Sequence, residues 1–117
     1  MLGININCKT QDFIGQILDG MKTIETRNTH SLRCYVGERI GLIKTECGKA
    51  TLCEYATIMR EIHYRNEEEF RRDEDKHLVL KGSVYDIVTD KYGYVLSDVV
   101  RIKPVEVSSK GIVSRRI

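Results

Sequence analysis

The chain has 117 residues, 41% of them hydrophobic, with 19 Lys+Arg against 17 Asp+Glu and a formal net charge of +2. That length can bury about two-thirds of the surface of the unfolded chain, enough for one core, so a single domain over residues 1–117 is expected. No apolar run approaches the roughly 18 residues of a membrane span, the first eight residues lack the marks of a signal peptide, and near-zero charge excludes a uniformly basic coat for nucleic acid. A cytoplasmic protein without membrane contact is therefore expected.

Ile4, Ile6 and Cys8 alternate with Asn5 and Asn7, the period-2 pattern of an edge or first strand. Thr10 stands where an N-cap belongs. Phe13, Ile14, Ile17 and Leu18 then follow at helical spacing until Gly20, the residue suited to a C′ position. From Thr23 to Arg27 the β-branched run favours extended backbone, with Thr23, Glu25 and Arg27 on one face and Ile24 and Thr26 on the other. Asn28 to Val36 reads as a loop, Gly37-Glu38 as a turn, and Arg39 to Lys44 as a strand bent at Gly41.

Gly48 and Lys49 make the next turn, after which Thr51 to Tyr64 is rich in β-formers and free of Gly and Pro, a long or bulged strand with helix as the competing assignment. Asn66 and Glu69 resemble a capping box opening a polar surface helix, Glu67 to His77, in which only Phe70 seeks a core. Gly82 to Thr89 has no clear pattern. Tyr92 to Ile102 reads as a long strand ahead of Pro104, the single proline. Strands interleaved with two or three short flanking helices predict an α+β fold with a small mixed β-barrel; a doubly wound parallel sheet would need more helices.

Four cysteines, Cys8, Cys34, Cys47 and Cys53, include no Cys-x-x-Cys pair, and reduced thiols are expected. A metal set of His30, Cys34, Cys47 and Cys53 can be drawn, but its irregular spacing supplies no zinc knuckle, so no metal and no cofactor is assigned. His63 and His77 have no partner pattern. Val99 to Ile117 holds Arg101, Lys103, Lys110, Arg115 and Arg116 against Glu106, a local net of +4, while Glu67 to Asp75 is strongly acidic. Either a solvated terminus or a phosphate-contacting tail fits that run. Tyr92 and Tyr94 flank Gly93 and offer rings for base stacking or for packing.

The most informative segment is Gly20-Met21-Lys22-Thr23-Ile24-Glu25-Thr26-Arg27. Glu25 and Arg27 share a strand face, and the long stem of Lys22 reaches the same side. By spacing alone an exposed salt-bridge row is the favoured account of it. The segment, however, resembles the G-x-K-x-x-E-x-R hallmark of the ASCH domain family, the activating-signal-cointegrator homology domains, and the following Gly37-Glu38-Arg39-Ile40 resembles that family's next strand.

The resemblance implies a PUA-like small mixed barrel whose cleft binds RNA or a nucleotide-like ligand. Lys22, Glu25, Arg27 and Arg39 are then the expected ligand-binding residues, with Gly20 and Gly37 as structural glycines. Arg27 offers a planar two-pronged donor that a lysine cannot. Some ASCH-like proteins hydrolyse the amide of an N4-acylated cytosine nucleoside with a lysine in this motif and a threonine three positions later. Glu25 stands at that threonine position here, which removes the hydroxyl nucleophile. An amidohydrolase acting through Lys22 and Glu25 as acid and base is therefore the alternative to a binding module, and a protein-interaction module is a further one. The oligomeric state is not fixed by the sequence.

Overall fold

The computed structural model describes residues 1–107 and, as backbone, 114–116. In chain order it comprises β1 (Leu2–Asn7), α1 (Phe13–Leu18), β2 (Ile24–Arg27), a 3-10 turn (Arg33–Tyr35), β3 (Arg39–Glu46), β4 (Lys49–Tyr64), α2 (Glu67–Arg72), α3 (Glu74–His77), β5 (Lys91–Val107) and β6 (Ser114–Arg116). The strands form a six-stranded mixed sheet in the order β2-β5-β4-β3-β1-β6. The β1–β3 pair is parallel, and the other pairs are antiparallel. This is the expected α+β arrangement of short helices on a curled mixed sheet. Among the described residues no helix is long and apolar enough to cross a membrane.

The curl comes from the two long central strands. Their ladder shifts register between Leu52 and Glu54, between Tyr55 and Thr57, and between Ile58 and Arg60. Each shift inserts extra residues on one strand and bends it. Pro104 sits in the first of these, where Leu52 pairs with Val105 and Glu54 with Arg101, so β5 runs through the proline to Val107 instead of ending before it. The β3–β4 hairpin turns through Cys47 and Gly48, both at positive φ (52° and 77°), with Glu46 opposite Lys49. That is the two-residue turn whose twist matches the strands.

Among the described residues the ladder does not close between β2 and β6, yet the curl brings β2 beside β1. Arg27 Nη2 donates to the carbonyl oxygen of Asn5 at 2.9 Å, a side-chain bond across the seam. The main core, including Ile4, Ile6, Ile17, Ile40, Ile58 and Tyr94, fills the concave side under α1. A smaller cluster of Ile43, Ala50 and Leu52, with Tyr55 against it, lies at the far end. Leu52 and Tyr55 thus share one cluster while Cys53 and Ala56 pack in the other, so β4 exchanges its faces at the first register shift.

Two local expectations are corrected. Asp12, not Thr10, caps α1, its carboxylate accepting from Gly15 N at 3.0 Å; the helix begins two residues later than Thr10 would place it. The segment Glu67 to His77 is two helices rather than one, broken at Asp73, whose carboxylate accepts from Tyr64 Oη at 2.7 Å. Asn66 does cap the first of them, accepting from Glu69 N at 2.9 Å. His77 joins Phe70 inside, stacked on it at 4.0 Å.

Glu54 lies where β4 exchanges faces. It is fully buried, and neither carboxylate oxygen has a hydrogen-bond partner among the described residues. Burial raises its pKa to about 7, with Arg101 opposing and Asp12 reinforcing the shift. The neutral acid is therefore the form the fold prefers, and stability falls as pH rises from the ordinary carboxylate range through 7. Chemical denaturation between pH 4.5 and 8 will show wild type losing on the order of 3 kcal/mol relative to Glu54→Gln.

Candidate functional site

The site is assembled where α1 hands the chain to β2. Gly20, at φ 77°, is the C′ residue, and its N–H reaches Ile17 O at 3.1 Å while Met21 N and Lys22 N both reach Gln16 O at 3.0 Å. This Schellman-type ending needs the left-handed conformation that glycine adopts without strain. It turns the backbone so that Lys22 points inward, with its side chain 1% exposed.

The Lys22 ammonium lies over the Phe13 ring, 4.6 Å from its centroid. It donates to the backbone carbonyl of His77 at 2.5 Å, and Glu25 Oε1 lies 3.9 Å away. Burial is the largest influence on Lys22 and lowers its pKa to about 8; Glu25 opposes the shift, and Arg27 and Lys91 add to it. His77 holds its carbonyl in place through its own ring. Nδ1 accepts from Val79 N at 2.9 Å, which leaves Nε2 as the donor to Phe70 O at 2.8 Å. The ring is thus the neutral Nε2–H tautomer, and burial keeps its pKa below the usual histidine value.

β2 pairs antiparallel with β5, setting Glu25 opposite Tyr94 and Arg27 opposite Tyr92. Glu25 Oε2 is 3.2 Å from Arg27 Nη2, the same nitrogen that bonds Asn5 O. Arg27 Nε is buried and has no acceptor among the described residues. Lys91, at the start of β5 and only 3% exposed, donates to Asn28 Oδ1 at 2.8 Å. Burial lowers its pKa too, with Glu25 and Asp86 opposing the shift.

These groups line one cavity of about 610 Å³ at the seam between β1 and β2, the size of a small-ligand site. Asn5, Asn28, Thr29 and Ser31 contribute neutral polar atoms, while Ile6, Phe13, Val79 and Tyr85 make an apolar side. Four cations, Lys22, Arg27, Lys49 and Lys91, face it against the single carboxylate of Glu25. The arrangement can bind an anion beside a flat apolar group, and Lys22 can exchange a proton near neutral pH.

Lys22, Glu25 and Arg27 therefore converge, with Gly20 building the bend that delivers them. Arg39 does not join them. It donates to Asp98 O at 3.0 Å and Thr57 Oγ1 at 3.2 Å, and it borders a separate recess with Met1, Leu2, Tyr35 and Glu38. Gly37, at φ 89°, turns the chain into β3, its N–H donating to Ile58 O at 2.7 Å. None of Glu67 to Asp75 lines the cavity; α3 contributes backbone, through the carbonyls of His77 and of Lys76, which accepts from Thr23 N at 2.9 Å.

Tyr94 is buried, bonded to Glu61 Oε2 at 2.8 Å, and Tyr92 stacks on His63 at 4.5 Å, so neither ring borders the cavity. The basic tail runs away from it on distal β5 at Arg101 and Lys103; Lys110 and the side chains of Arg115 and Arg116 lie outside the described residues. All four cysteines are free thiols, and among the described residues no three potential metal ligands converge. Lys91 is the site residue that sequence reasoning missed. A lysine opening a Tyr-Gly-Tyr strand was its one local signal, and its partners lie some 63 residues earlier.

No protein-family model and no curated protein matches the sequence. Among solved structures, the crystal structure of ASCH from Zymomonas mobilis is similar, with a TM-score of 0.71 at 19% identity, over 88% of this chain and 72% of that one. Its serine-to-alanine variant matches with the same values. Its tyrosine-to-phenylalanine variant matches with the same score and identity, over 74% of that chain. The chain therefore shares the mixed α+β fold of these ASCH structures.

A buried lysine with its pKa lowered sheds its proton more easily when folded, so the protein gains stability as pH rises from about 8 toward the unfolded value of 10.5. Lysine ¹³Cε shifts will place the Lys22 midpoint near pH 8. Glu25→Gln, which deletes the one opposing charge, will move it lower; a midpoint near 10.5 would mean that Lys22 is solvated.

Proposed function

We propose that this chain binds RNA or a nucleotide-like ligand in the seam between β1 and β2. The observation that carries the reading is the buried cluster of Lys22, Glu25 and Arg27 opening on a cavity with one apolar side. Lys22 and Arg27 supply charge-assisted donors for phosphate or carbonyl oxygens. Glu25 orients both cations and offers an acceptor for an exocyclic amine or a ribose hydroxyl. The fold shared with ASCH structures supports the same class of ligand. Donors fixed by the bend before β2 and by β2 itself favour selective recognition of one nucleotide-sized group over a general grip on polyanions.

A second reading is favoured by one observation, the lowered pKa of Lys22. A lysine near 8 beside a carboxylate is suited to general acid/base work on an amide such as that of an N4-acylated cytidine, with water as the nucleophile. Against it, Lys22 Nζ is already committed to His77 O, and no hydroxyl stands at position 25.

Binding to single-stranded and structured RNA, titrated against salt, will weaken at least about tenfold in Lys22→Ala and in Arg27→Ala and stay unchanged in Arg39→Ala. Unchanged binding in the first two variants would remove the site. Incubation with N4-acetylcytidine will release no cytidine; turnover abolished by Lys22→Ala would establish the hydrolase reading instead.

A further inference from the structure

The charges in the cleft do not balance. Lys22, Arg27 and Lys91 line its interior, and Glu25 is the one carboxylate among the lining residues, so the buried groups sum to +2 before Lys49 at the exposed rim is counted. Glu25 is shared between Lys22 at 3.9 Å and Arg27 at 3.2 Å. Asp86, the other acid felt by Lys91, is occupied elsewhere: it accepts from Arg71 Nη2 at 2.6 Å and from the N–H groups of Gly82 and Ile87. The Lys91 ammonium has a neutral amide, Asn28 Oδ1, as its hydrogen-bond acceptor.

Burying cations in excess of anions is costly, because lost hydration is not repaid by a partner charge. The excess points to what the cleft is built to receive. A phosphodiester inside a nucleic-acid strand carries one negative charge, whereas a phosphate monoester carries between one and a half and two near neutral pH. Only the monoester matches the two unbalanced cations. Resting on the reading of this cleft as a nucleotide site, we infer that it recognises a terminal phosphate monoester, on a free nucleoside monophosphate or at the 5′ end of an RNA, with Lys91 as a phosphate-binding residue beside Arg27. Phe13 and Tyr85, whose rings meet edge to face at 5.7 Å, and Val79 leave an apolar side for the attached base.

The test is calorimetric titration of the wild-type chain, at one fixed salt concentration, with each of the four ribonucleoside 5′-monophosphates and its nucleoside, and with a short RNA bearing either a 5′-phosphate or a 5′-hydroxyl. The phosphorylated ligand should bind at least about tenfold more tightly than its unphosphorylated partner. Lys91→Gln should abolish most of that advantage. Asn28→Asp, which gives the ammonium a partner charge at its present acceptor, keeps the test open if Lys91→Gln does not fold; it should abolish most of the advantage as well, and an undiminished advantage would overturn the role of Lys91. Preference for the phosphorylated RNA alone would identify an RNA end as the source, and equal preference for the monophosphates a free nucleotide. Equal affinity with and without phosphate overturns the inference and leaves the cleft as a nucleoside or RNA site. An advantage untouched by Lys91→Gln overturns the role of Lys91, and no binding by any ligand overturns the functional reading itself.

Discussion

The structure depends on a sheet that curls almost to closure, its ladder left open between β2 and β6 among the described residues. β6 pairs with β1 over Leu2 to Ile4. The Arg27 guanidinium meets the β1 strand from β2, bonding Asn5 O. A strand edge inside a folded domain must have its backbone groups satisfied or let water in. Here a charged side chain satisfies one of them, and a charged group held at a seam brings its counter-charge with it. Glu25 beside Arg27, and Lys22 beside Glu25, follow from that single crossing.

Burying so many charges demands firm support, and the flanking helices supply it. The end of α1 aims Lys22 across Phe13. α3 presents the His77 carbonyl to its ammonium, and the neutral His77 ring is locked by Val79 N and Phe70 O. The acidic segment that begins at Glu67 therefore contributes to the site through backbone geometry, not through its carboxylates. Its charge lies mainly outside, which resolves the net +2 of the chain into an acidic surface and a cationic cleft.

What the sequence made legible was local. Lys22, Glu25 and Arg27 lie within six residues, and the period of a strand plus the reach of a lysine place them together. Gly20 was legible because a helix end of this kind requires positive φ. Lys91 was not, since its place in the cleft depends on the register of β2 on β5, which no local pattern encodes. Glu54 was hidden for another reason: alternation sets it with Leu52, Ala56 and Ile58, but the burial of a carboxylate with no hydrogen-bond partner among the described residues depends on tertiary packing that no local pattern encodes. Arg39 follows a turn of the expected kind, but it opens β3 beside Leu2, whereas the cavity is bordered by the other end of that strand, at Thr45. The break at Asp73 depends on Tyr64, a contact from another element.

On the proposed reading a ligand enters at the β1–β2 seam. When a 5′-phosphorylated RNA is added, amide chemical shifts should then change most at Asn5 to Asn7, at Lys22 to Asn28 and at Lys91. Changes confined to distal β5 around Arg101 and Lys103, or to the recess at Arg39, would contradict it.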